Sequence, residues 1–374
     1  MTTHAVRIDR SIPLGKEPAT GHNRWHPDVA AAVRCQPGEE VVLETRDAFD
    51  RQFHRRASAA DVAHVDLGLV HPLTGPVHVE GAEPGDLLVV DILEVAPDDY
   101  GYTAQVPGFG FLRDDFPDPY LVKWDLDDGW ARSDDVPGVA IPGAPFMGIM
   151  GVAPSRELMA QITAREQALF DRSGYVLLPD ASGAVPSDLG LASEALRTIP
   201  PREIGGNLDI KQTCAGTRLF LPVWVEGALF SAGDAHFAQG DCEVCGTAIE
   251  MDATLRVRFD VRKGVAAERG IRDVQFERDG YVVSPEMQGP RRFFATTGLS
   301  VDRDGRNHSE DLTVAARNAL LNMVDHLELD RGFSRQQAYA ICSVAVDLKV
   351  SEMADVPNFL VTAVLPLDIF PEGS

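Results

Sequence analysis

The stretch from Gly205 to Glu250, GGNLDIKQTCAGTRLFLPVWVEGALFSAGDAHFAQGDCEVCGTAIE, holds the densest chemistry in this chain. It places Asp209, Asp234, His236, Gln239, Asp241 and Glu243 among glycines and short apolar runs. Asp234 and His236 are two residues apart, and residues so spaced in a strand point to the same face. A carboxylate and an imidazole would therefore project together, with a further carboxylate after the turn-like Gln239-Gly240-Asp241. Asp, His and Glu form a ligand set for a divalent metal able to activate water. The same residues also serve as polar turn residues on the rim of a sheet. No fixed-spacing zinc signature decides between the two.

The elements that must position these residues read as mostly β. VVLETRD (41–47), VHVEG (77–81) and DLLVVDILEV (86–95) have the alternation and β-branched content of strands, separated by turn signals such as QPGEE and LTGP. Many short strands with Gly/Pro punctuation predict a sandwich or jelly roll over a βαβ fold. Residues 99–150 read as a loop-rich excursion over a site. ELMAQITAREQALFDRSG predicts a helix, strands resume at TRLFLPVWV and TLRVRFDVRKG, and the tail is helical, with Ser334 an N-cap. The expected fold is mainly β with α+β additions. A jelly-roll-like N-terminal part (1–155) is followed by a β-rich catalytic part with C-terminal helices (156–374), or the two form one integrated domain. The ends, including Glu372–Ser374, are expected to be loose.

Composition narrows the partners. A net charge of −23 repels nucleic-acid phosphates and anionic membranes. No apolar run reaches the length of a bilayer span, and the N-terminus lacks a signal-peptide core. Five cysteines (35, 214, 242, 245 and 342) without a signal peptide point to reduced thiols in the cytoplasm.

Over nearly its whole length the chain resembles the acetamidase/formamidase family. The resemblance is carried by HNRWHPDV (22–29), HPLTGPVHVEGAEPGDLLVVDI (71–92), PGFGFLRDDFPDP (107–119), MGVAPS (150–155), GGNLDIK (205–211) and SAGDAHFAQGDCEVCGTAIEM (231–251). AYAICSVAVDLKVSEMADVPN looks closer to the acetamidase branch and HNRWHPDV to the formamidase branch. Ile204 departs from the histidine that acetamidase-type members often carry there. The resemblance implies hydrolysis of a short aliphatic amide to a carboxylic acid and ammonia, a β-rich fold and a homo-oligomer.

Amide hydrolysis needs a nucleophile, a base, stabilisation of the oxyanion and an acid for the leaving amine. A metal, zinc foremost, supplies the first and third by lowering the pKa of bound water toward ~7 and polarising the carbonyl. The ligand candidates are Asp209, Asp234 and His236. Glu243 is a fourth ligand or the base, and Glu80 is the other contender for base, although VEGAEPGD is also an ordinary strand-to-turn sequence. His22 and His26 flank Trp25, and His22 with Trp25 would line a wall for a small substrate, as would Phe109, Phe111 and Phe146. Gly205-Gly206-Asn207 could form an oxyanion hole, with Asn207 or Gln239 assisting. Two alternatives stand beside the metal mechanism: a cysteine nucleophile at Cys242 or Cys245, and a silent scaffold that only binds small amides.

Overall fold

A computed structural model of the chain describes residues 2–279 and 292–371. The Glu372–Ser374 end lies outside the described residues. The architecture is strand-dominated and largely antiparallel, in agreement with the expected class.

The strand Leu87–Gln105 is the spine. It pairs antiparallel with Thr217–Pro222, with Tyr120–Asp127 and with Glu250–Arg262. Its first half alternates Val, Leu and Ile into the core, where Leu88, Val90 and Ile92 are buried. Glu250–Arg262 alternates buried Met251, Ala253, Leu255, Val257 and Phe259 with half-buried polar residues, so one face packs and the other is wet. It also pairs with Glu40–Thr45. Residues on both sides of position 155 are thus joined in one hydrogen-bonded sheet.

Residues 99–150 are more ordered than the sequence suggested. The spine continues to Gln105, and strands follow at Tyr120–Asp127, Trp130–Arg132, Ala140–Pro142 and Phe146–Gly151. Pro97, Asp98 and Asp99 break the apolar alternation midway, although the ladder with Glu250–Arg262 runs on past them through register shifts. The longest irregular connection in this region is 106–119, with a shorter one at 133–139.

The tail is helical as predicted at Leu312–Arg331 and Arg335–Ala345, the second opened by a capping box of Ser334 and Gln337. It also carries a separate three-stranded antiparallel sheet of Phe293–Leu299, Asp347–Glu352 and Leu360–Pro366. Val361, Ala363 and Leu365 are buried, whereas Leu360 and Thr362 are half-buried. The five cysteines are unpaired. Among the described residues no helix is long and apolar enough to cross a membrane.

Candidate active site

The central strand of the site is Phe230–His236, every residue of which is buried. On one side it pairs with Phe146–Gly151, setting Phe146 opposite His236; on the other it pairs with Glu250–Arg262, setting Glu250 opposite His236. The His236 imidazole is fully buried. Its Nε2 lies 3.3 Å from Asp234 Oδ1, 3.2 Å from Glu250 Oε2 and 3.6 Å from Glu243 Oε1. Its Nδ1 lies 2.9 Å from Gln239 Oε1. The Gln239 amide nitrogen donates to the Asp209 carbonyl at 2.9 Å. A carbonyl can only accept, so this bond fixes which end of the Gln239 amide faces the ring. The amide oxygen faces Nδ1, and Nδ1 therefore carries a hydrogen, leaving Nε2 turned to the carboxylates.

Backbone geometry is unusual at the same place. Asp209 (φ 49°), Asp234 (φ 57°) and Glu243 (φ 47°) all occupy the left-handed region. Aspartate tolerates it better than most residues and glutamate has no such excuse, so the site holds conformations that cost of order 1–3 kcal/mol each. Gly148, opposite this cluster in the neighbouring strand, makes room for it. A Cβ there would sit 2.7 Å from Asp209 Oδ1, 2.8 Å from Asp234 Oδ2 and 2.8 Å from His236 Cε1. The Gly148 carbonyl also accepts the amides of Leu208 and Asp209, which brings the Asp209 turn over the strand.

Four carboxylates thus surround one imidazole. Burial alone would lower the His236 pKa, but the fields of Glu250 and Asp234 outweigh it and hold the ring well above its ordinary value. Burial pushes Asp209 up to about 8, with Asp234 and Glu250 adding to the rise and His236 opposing it. Burial likewise raises Glu250 to about 7, and raises Glu243 well above the usual carboxylate range with Asp209 adding. Asp234 differs: burial works to raise it, but the fields of His236 and His71 hold it below that range. Asp209 Oδ1 and Glu250 Oε2 are buried and have no hydrogen-bond partner among the described residues. The donors form two overlapping triads, Asp209–Asp234–His236 and His236–Glu243–Glu250, whose ligand atoms lie within 4.8 Å of one another. Crowded buried acids, three of them pushed toward the protonated form by burial, fit a divalent cation, which would favour their ionised forms.

The cluster borders a cavity of about 310 Å³. Asp209, Asp234, Glu243 and Glu250 line it together with His71 and Asn207. The rest of its wall is largely apolar: Phe49, Val70, Val106, Phe109, Phe111 and Ile199. Arg113, also on the lining, stacks over the ring of Tyr175 at 4.9 Å.

Of the residues singled out from the sequence, Asp209, Asp234, His236 and Glu243 come together, and Asn207, Phe109 and Phe111 line the cavity. Glu80 does not join them. It follows the strand Leu73–Val79 into a turn, where its carboxylate pairs with Arg34 at 3.2 Å. His22 and Trp25 are buried off the cavity, edge to face at 5.3 Å, and His22 is held by the Arg24 carbonyl and the Ser231 hydroxyl. His26 bonds Glu194. Phe146 packs edge-on against His236 at 5.0 Å and does not line the cavity. Gln239 also stays off the wall, holding His236 and Asp209. Gly205 and Gly206 are paired on both edges of their strand and Asn207 is paired with Ile149, which engages this backbone in ladders. Cys242 is exposed and lines the cavity, where desolvation by its surroundings, with Asp241 adding, pushes its thiol pKa up; Cys245 is buried and its thiol is raised as well. The sequence reading missed Glu250 and Gly148.

A buried imidazole ringed by carboxylates thus stands beside a small, mostly apolar cavity. The chain belongs to the Acetamidase/Formamidase family, whose sequence model matches residues 7–372. It is 40% identical to the acetamidase of Mycolicibacterium smegmatis, covering 89% of this chain and 87% of that protein. It is 38% identical to the formamidase of Methylophilus methylotrophus, covering 98% and 93%. The solved structure of a gamma lactamase from Delftia acidovorans is similar, with a TM-score of 0.92, 37% identity, and coverage of 99% of this chain and 94% of that one. The chain is accordingly a hydrolase of the carbon–nitrogen bond in linear amides.

Proposed function

We propose that this protein hydrolyses the carboxamide of a short aliphatic acid, of formamide or acetamide type, to carboxylic acid and ammonia in the cavity beside His236. The observation that carries the reading is the convergence of Asp209, Asp234, Glu243 and Glu250 on one buried imidazole at the wall of a largely apolar cavity. The gamma lactamase's name brings cyclic amides into the range to be assayed.

Asp209, Asp234 and His236 would hold a divalent metal, zinc by the mixed imidazole–carboxylate chemistry, and a bound ion of that kind supplies Lewis acidity and acidifies water. Gln239 keeps the Nδ1 hydrogen on His236 and so keeps Nε2 directed at the carboxylates. Glu243 lines the cavity and its burial raises its proton affinity, which suits it to take the proton of the attacking water and return it to the leaving nitrogen. The apolar wall excludes bulk water from these transfers. The raised thiol of Cys242 argues against a cysteine nucleophile, because the thiolate is the attacking species.

Unpaired cysteines support a reducing, cytoplasmic setting, and exposed Phe293, Val350 and Met353 beside the C-terminal sheet support a homo-oligomer, which light scattering would test. The functional test is ammonia release from formamide, acetamide and longer amides, and amino-acid formation from a γ-lactam, before and after chelation. The reading expects turnover that falls on metal removal and returns with zinc. No ammonia from any amide would overturn it; full turnover in demonstrably metal-free protein would overturn the metal assignment alone.

A further inference from the structure

Asn207 carries one atom that the other described residues leave unused. Its side-chain nitrogen donates to the Ile199 carbonyl at 2.9 Å. Since that carbonyl accepts only, the nitrogen must face it and Oδ1 must face away. Oδ1 is buried and without a hydrogen-bond partner among the described residues. The residue lines the cavity, two positions before Asp209. Its place is fixed by pairing with Ile149, next to the Gly148 that makes room for the cluster.

A buried acceptor without a donor is costly, and a site that holds one gains when the ligand brings the donor. The usual part for an active-site amide, donating to an oxyanion, does not suit this one, whose nitrogen is engaged and whose free atom accepts. We propose that Asn207 Oδ1 accepts a hydrogen bond from the N–H of the scissile carboxamide and is the residue that selects amides over esters. The proposal rests on the reading that this cavity hydrolyses amides. A primary amide, or a cyclic secondary amide, turns an N–H to Oδ1. An ester of the same acid sets an oxygen there, acceptor against acceptor, and leaves Oδ1 unpaired. Sites built to bond a substrate N–H or O–H reject analogues that lack it far more strongly than apolar pockets reject an extra methylene. As the C–N bond breaks, the nitrogen takes its proton from the acid and leaves as ammonia, or, from a cyclic amide, remains as the amine of the opened chain; Oδ1 orients the nitrogen and exchanges no proton.

The experiment compares wild type with Asn207→Ala on acetamide and methyl acetate, each read as kcat/KM on the same preparation. Where the ester is not turned over, its inhibition constant against acetamide replaces kcat/KM. Where both substrates are turned over, their ratio cancels the folded fraction; where the inhibition constant stands in, the amide kcat/KM is normalised to the folded fraction from the melting curve. The expected result is an amide kcat/KM lowered about tenfold to a hundredfold with the ester value changed less than about threefold. Equal losses on both substrates, or an unchanged amide value, would overturn the proposal. Wild type inactive on every amide would instead overturn the functional reading on which it rests.

Discussion

Replacing Gly148 by alanine tests the geometry of the site without removing any reactive group. The φ of Gly148 lies outside the left-handed region, so the backbone accepts alanine and only space is at issue. The new methyl would lie 2.7–2.8 Å from Asp209 Oδ1, Asp234 Oδ2 and His236 Cε1. Restoring ordinary contact near 3.4 Å requires each to retreat by about 0.6–0.7 Å. Overpacking of this kind costs about 1–3 kcal/mol, which for a chain of 374 residues, at about 1.3 °C per kcal/mol, lowers the Tm by about 1–4 °C. The functional effect is larger, because a misplacement near 1 Å costs about a hundredfold in rate. Gly148→Ala is expected to fold and to lose about tenfold to a hundredfold in kcat for ammonia release, with divalent metal retained less tightly. Ammonia assay, melting curve and metal content on one preparation decide it. A variant with near wild-type kcat would refute the claim that these three residues act as a unit over Gly148.

Other substitutions separate bystanders from participants. Glu80→Gln weakens its pairs with Arg34 at 3.2 Å and His78 at 3.7 Å, the exposed first of them worth about 0–1 kcal/mol, and ammonia release should be unchanged; a large loss of kcat would return Glu80 to the site. Cys242→Ala should keep kcat within about threefold and iodoacetamide should not abolish it; inactivation by both would restore the cysteine mechanism. Burial, with the Asp47 carboxylate adding, raises Asp252 to about 7. The folded state therefore binds this proton more tightly than the unfolded chain, and stability falls as pH rises from about 4 to 7. The effect is bounded at about 4 kcal/mol, and partial exposure cuts it to about 1–2. Asp252→Asn, which keeps an oxygen for the Asp47 amide, should flatten that slope in denaturant titrations at pH 5 and 8, and an unaltered slope would disprove the assignment.

What the sequence made legible followed from local pattern. Asp234 and His236 meet as their spacing in a strand predicts, and the Ser334 cap opens its helix because capping is local. Glu250 escaped notice because its contact with His236 depends on the register of two strands across a long irregular connection. Gly148 was invisible for a related reason: its role is the absence of a side chain against residues far along the chain. Glu80 misled because a carboxylate at a strand end looks alike whether it turns inward or pairs with an arginine on the surface. The sheet at 99–150 was obscured by Pro97, Asp98 and Asp99, and the strand Asp347–Glu352 by its polar, exposed edge.

The central claim is that His236 and its carboxylates perform the hydrolysis. The most direct measurement is ammonia and carboxylate release by wild type and by His236→Ala, with melting curves on the same preparations. Wild type should release the two products in equal amounts from a short amide. His236→Ala should melt cooperatively yet lose kcat by orders of magnitude, since the group removed acts on the transition state. A well-folded His236→Ala protein with near wild-type turnover would contradict the account.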